Sequence, residues 1–112
     1  MATTINLVAG WTAELPAFTL RANGTPLDLT GFTAAQIVAK IKEARTTGAY
    51  VDMSNNVRLD DDPVTGKVYL KPDAADFVAG KTYDLRFQVT DGAGNVEFFP
   101  NATPNRIVVA VP

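Results

Sequence analysis

Residues that turn a chain recur about every ten positions along this sequence, a spacing that leaves room for short strands and little else. Asn23-Gly-Thr-Pro26, Thr30-Gly31, Thr47-Gly48, Ser54-Asn-Asn56, the stretch 60–66, Gly80-Lys81, Asp91-Gly-Ala-Gly-Asn95 and Pro100-Asn-Ala-Thr-Pro104 supply the breaks. This cadence predicts an all-β chain folded as a sandwich of two sheets.

The apolar pattern between the breaks has a period of two. It is clearest over 82–90, where Tyr83, Leu85, Phe87 and Val89 alternate with Asp84, Arg86, Gln88 and Thr90. Asp91 to Asn95 then forms a hairpin turn, and Val96 with Phe98 resumes the alternation. Ile107, Val109 and Val111 mark a final strand, ended by Pro112. Phe18, Leu20 and Ala22 belong to a long first strand over 11–22, broken at Pro16. Residues 33–45 carry good helix formers, yet Ala35, Ile37, Ala39 and Ile41 alternate, so a strand is expected there, paired with a second over 49–53. Residues 57–59 and 66–71 are two further short strands. Pro72, the Asp residues at 73 and 76, and Gly80 predict the one short helix, over about 73–79.

Composition narrows function by what it lacks. The 112 residues contain no cysteine and no histidine. Disulfides, thiolate nucleophiles, the Ser-His-Asp triad and imidazole metal ligands are therefore excluded, and an enzyme is not expected. Ten basic against twelve acidic residues give a net charge of −2, which does not suit a nucleic-acid partner. No apolar run approaches the roughly 18 residues of a membrane span, and the start of the chain has no basic region ahead of its short apolar patch. The expectation is a soluble protein made in a cytoplasm. For a chain of this size, surface scaling predicts roughly 6,000 Å² of accessible area and one modest core, hence a single domain over 1–112.

Few residue groups suggest chemistry. Asp60-Asp61-Asp62 is the densest run of oxygen ligands, but it misses the alternating register of a calcium loop and reads as a solvated turn. No pair of carboxylates stands out for hydrolysis, no glycine-rich phosphate loop is present, and no catalytic residue, metal ligand or cofactor is assigned. Trp11, Tyr50 and Tyr69 are either core-edge residues or platforms that stack on a sugar or a partner. Phe98 and Phe99 are adjacent in a strand and must point to opposite faces. With Phe98 inward beside Val96, Phe99 is left for a covering loop or a contact surface.

The segment from Phe18 to Phe32, containing Pro26-Leu-Asp-Leu-Thr-Gly31, is followed by Gln36-Ile-Val-Ala-Lys-Ile41, Gly66-Lys-Val-Tyr-Leu70, Asp73-Ala-Ala-Asp76 and Ala79-Gly-Lys-Thr-Tyr-Asp-Leu-Arg86. In this order the segments resemble the N-terminal domain of phage baseplate upper proteins and related small modules of tailed-phage virions, over about residues 15 to 111. The resemblance implies an immunoglobulin-like antiparallel sandwich of about seven or eight strands. It also implies a non-enzymatic virion structural protein, assembled in the host cytoplasm. Such a subunit decorates or connects head, neck, tail or baseplate through protein–protein contacts with other virion proteins, as a homo-oligomer or in multiple copies on a symmetric assembly. The baseplate domains continue into further chain, whereas this sequence stops at Pro112, which favours a small separate subunit. Expected contact residues are Ile5, Leu7 and Val8 of a 1–10 segment that is an arm or an edge strand, Trp11, and Phe99, Pro100 and Asn101 of the loop that follows. The alternative is a carbohydrate- or host-surface-binding sandwich.

Overall fold

The structure, a computed structural model, describes residues 4–22, 24–53, 57–73, 76–100 and 104–110. Among these, the strands are β1 (Thr4–Val8), β2 (Phe18–Thr19), β3 (Arg21–Ala22), β4 (Thr25–Pro26), β5 (Ile37–Glu43), β6 (Val51–Asp52), β7 (Val57–Leu59), β8 (Lys67–Leu70), β9 (Thr82–Thr90), β10 (Val96–Phe99) and β11 (Asn105–Ala110). The larger sheet runs β1-β11-β9-β5-β6, with β10 also on β9; the smaller runs β2-β8-β7; β3 and β4 form a two-stranded ribbon.

β9 organises the larger sheet because its strict alternation buries Tyr83, Leu85, Phe87 and Val89 on one face. One edge of β9 is taken by β5, from Ile37 opposite Val89 to Glu43 opposite Tyr83. β11 and β10 divide the other edge, β11 pairing residues 82–85 and β10 residues 87–90. The pairings are antiparallel except that of β1 with β11, which is parallel. The first described strand therefore lies beside the last and forms a sheet edge.

The two sheets meet through Phe87 of β9 and Phe18 of β2, whose ring centroids are 5.2 Å apart and tilted by 56°. Leu15, Leu20, Leu29, Val68, Leu70, Leu85, Ile107 and Val109 complete an almost fully buried centre. Burying an aliphatic or aromatic side chain of this kind stabilises by about 1.5–3 kcal/mol, and an aromatic pair adds about 0.5–1.5 kcal/mol. The accessible surface is 6338 Å², close to the value expected from mass.

Three segments depart from expectation. The first strand begins only at Phe18; residues 11–17 contain no strand, and Leu15 instead donates its backbone N–H to the Leu70 carbonyl at 2.9 Å, ahead of Pro16. The strand over 33–45 begins at Ile37, because Ala34–Gln36 forms a 3-10 turn. There the Gln36 side-chain Oε1 accepts from the Thr33 N–H at 2.9 Å, while its side-chain Nε2 donates to the Thr90 carbonyl at 3.0 Å.

Third, the expected helix over 73–79 is a set of turns wherever it is described, residues 74 and 75 lying outside the described residues. Two turns of helix are marginal alone, and tertiary partners take over this segment. The Val78 N–H donates to the Tyr83 hydroxyl at 3.0 Å, and the Phe77 ring sits edge-on to Tyr83 at 5.3 Å. No helix among the described residues is long and apolar enough to cross a membrane.

Candidate interaction surface

Cross-strand partners share a face, so the registers define the outward side of the larger sheet. Phe98 lies opposite Gln88, which lies opposite Val38 on its other side. Val96, opposite Thr90, extends this row. Phe98 is 41% exposed and Val96 49%. Further along the same face the row becomes charged. Arg106 stands opposite Asp84 and Asp84 opposite Lys42. Arg106 Nη2 is 3.3 Å from Asp84 Oδ1, which explains how Asp84 tolerates 7% exposure. Lys40 pairs with Asp52 across β5 and β6.

The contact residues expected from the sequence are dispersed by the fold. Ile5 and Leu7 are core residues, opposite Ile107 and Val109, and belong to an edge strand paired within the chain. Only Val8 of that group is on the surface, at 51% exposure. Trp11 is 39% exposed, its indole N–H bonded to the Ala13 carbonyl at 2.9 Å. Phe99 is buried at 5% and Pro100 half-buried, while Asn101 lies outside the described residues.

The inward and outward phenylalanines are thus the reverse of the expected pair. The reason is the register set by the 91–95 loop, which places Val96 opposite Thr90 and hence Phe99 opposite Phe87. Even-numbered residues of β10 must then share the outer face of even-numbered residues of β9. Phe98, the residue the sequence reading missed as a surface group, was signalled by that loop length.

The tyrosine platforms are already engaged by cations. Lys42 Nζ and Arg86 Cζ stand 5.3 and 5.5 Å from the Tyr50 ring centroid, and burial raises the Tyr50 pKa above its ordinary value. Arg58 Cζ lies 4.2 Å over the Tyr69 ring while its guanidinium donates to both Glu14 oxygens at 2.8 and 3.0 Å. That fork holds the Glu14 carboxyl below its ordinary value. The Tyr69 hydroxyl donates to Asp60 Oδ1 at 2.9 Å. This bond is the main cause of a lowered pKa at Asp60 and a raised one at Tyr69.

The acidic run is a constructed turn. Asp60 also accepts the Asp62 N–H, and Asp62 accepts the Val64 N–H at the start of the 3-10 turn Pro63–Thr65. Asp61 and Asp62 stay exposed, and Val64 beside them is 55% exposed. Among the described residues no group of three or more acidic side chains is arranged to hold a metal ion.

Two surface hollows sit at opposite ends of β9. At its start, Glu43, Ala44, Arg45, Lys81, Arg106 and Val108 line a groove of about 410 Å³. Lys81 Nζ is 3.3 Å from Glu43 there, and Arg45 holds a left-handed φ of 64°. At the far end Leu27, Phe32, Val89 and Phe99 floor a cleft of about 120 Å³ rimmed by Asp91, Asn95 and Glu97. No protein-family model matches the chain, and no curated protein matches it.

Proposed function

We propose that this protein is a non-enzymatic structural subunit of a tailed-phage virion that decorates or connects head, neck, tail or baseplate components through protein–protein contacts. Its partners are other virion proteins and further copies of itself, held in multiple copies on a symmetric assembly, and its location is the virion. The resemblance of the Pro26–Gly31 and Gly80–Arg86 segments to baseplate modules, which carry an immunoglobulin-like sandwich, supports the reading.

The observation that carries it is the exposed pair Phe98 and Val96 on the outward face of β10, with half-buried Val38 across Gln88. A single exposed apolar residue is ordinary, whereas two exposed neighbours on one strand face support a contact surface. The carbohydrate-binding alternative is less well supported, because cations already occupy positions over the Tyr50 and Tyr69 rings, leaving Trp11 as its remaining platform.

Light scattering of the purified protein over a wide concentration range tests the proposal. A closed oligomer that Phe98→Ser weakens is expected. A strict monomer whose Trp11 fluorescence shifts on glycan titration would overturn the reading in favour of the alternative.

A further inference from the structure

We propose that copies of this chain associate head to tail, the acidic turn carrying Asp61 and Val64 of one copy seating in the groove of Arg45, Lys81 and Arg106 of the next. The inference rests on the structural-subunit reading and names the partner as a second copy.

Placement comes first. The groove lies at the start of β9, where Glu43 is opposite Tyr83 and Arg106 opposite Asp84. The acidic turn is tied to the other end: the Leu29 N–H bonds the Pro63 carbonyl at 2.9 Å, and Leu27 and Phe32, flanking Leu29, line the cleft shared with Val89 and Phe99. The nine residues of β9 span about 27 Å between the groove and that cleft, in a molecule whose longest dimension is 41 Å. Complementary surfaces at opposite ends generate a heterologous contact, which closes into a ring or runs on as a filament; they cannot make a two-fold dimer through one patch.

Charge and shape agree. The groove offers three cations against Glu43, with Asp84 beside Arg106, so it retains positive charge after its internal pairs are made. Its lining also includes Ala44 and Val108. The turn offers an exposed Val64 beside the carboxylates of Asp61 and Asp62, with Arg58 near Asp61, an apolar and acidic surface for a groove lined by basic and apolar side chains. The Asp62 carboxylate caps the turn, which leaves Asp61 as the group to vary. Contacts of this kind are screened by salt over about 10 Å at 0.1 M.

Sedimentation velocity or light scattering in low and high salt tests the contact. The expected result is self-association that falls by about tenfold or more with added salt and with either Asp61→Lys or Lys81→Glu. An equimolar mixture of those two variants should restore it, because each then presents the complement of the other. Arg45→Gly supplies a control for folding: a φ of 64° suits glycine, so its thermal midpoint should hold while association weakens. Association indifferent to salt and to these variants but abolished by Phe98→Ser would overturn the head-to-tail contact and leave the subunit reading standing. A monomer under all conditions would overturn the contact as well.

Discussion

Phe99 of β10 lies directly opposite Phe87 of β9, both on the core face of the larger sheet. That pairing turns the adjacent Phe98 outward, so the two neighbours have opposite roles. Phe99→Ala should cost about 3–5 kcal/mol, the usual penalty for emptying a buried aromatic position. Phe98→Ala should alter stability by about 0.5 kcal/mol or less. Urea denaturation of the two variants separates them, and comparable losses would contradict the register.

Leu7 provides a test of whether the start of the chain is structural. It packs at 5% exposure in β1, opposite Val109. Leu7→Ala should therefore cost about 2–5 kcal/mol. Val8→Ala, at a surface position, should sit near the parent. A free arm would predict no change for either, so paired denaturation curves decide the matter.

Gly66 ends the 3-10 turn of Pro63–Thr65 with φ 68°. A Cβ there would come within 2.7 Å of the Leu20 carbonyl oxygen and 2.9 Å of the Leu27 backbone. Gly94 has a similar φ of 88° but open space around it. Gly94→Ala should cost about 1 kcal/mol from the backbone conformation alone. Gly66→Ala should cost clearly more, since main-chain atoms must shift as well. Thermal melts of the two variants would show the difference, and equal midpoints would mean that the close approach relaxes freely.

Acid should weaken the fold through Asp91 and Asp60. The Asp91 carboxylate accepts N–H bonds from Asn95, first its backbone and then its side chain, with Ala93 adding another, and these hold its pKa below the ordinary 3.8. Asp60 is lowered first by the Tyr69 hydroxyl and then by the Asp62 N–H. A carboxyl with a depressed folded pKa binds fewer protons when folded. Its contribution is thus complete above the unfolded value and disappears as pH falls through the folded one. Asp91→Asn and Asp60→Asn should each lower stability near neutral pH and flatten its decline below about pH 4. Urea midpoints measured down the pH scale would show parallel curves instead if these bonds were not maintained.

Local pattern determined much of this protein. The period-two runs placed a strand within 33–45, of which Ile37–Glu43 is extended, β9 over Thr82–Thr90 and the buried sides of β9 and β11, because alternate side chains of a strand face opposite ways whatever else the chain does. The turn residues placed the 91–95 hairpin for an equally local reason. The orientation of β10 was expected the wrong way round, with Phe98 inward, although the loop carried the answer: joining Thr90 to Val96 it pairs odd residues with odd, which puts Phe99 beside Phe87.

Other features depended on contacts distant in sequence. Ile5 and Leu7 entered the core because β11, a hundred residues away, offered an edge for parallel pairing; nothing in five residues encodes that neighbour. Residues 76–79 turned rather than forming a helix because Tyr83, near in sequence but fixed by the place of β9 in the sheet, took the Val78 N–H and the Phe77 ring. The basic groove was invisible for the same reason: Arg45, Lys81 and Arg106 are far apart along the chain and converge only because β5, β9 and β11 share a sheet. Side-chain periodicity is a property of one strand, whereas a surface is made from several, and the pairing that joins them is set by the packing of the whole chain.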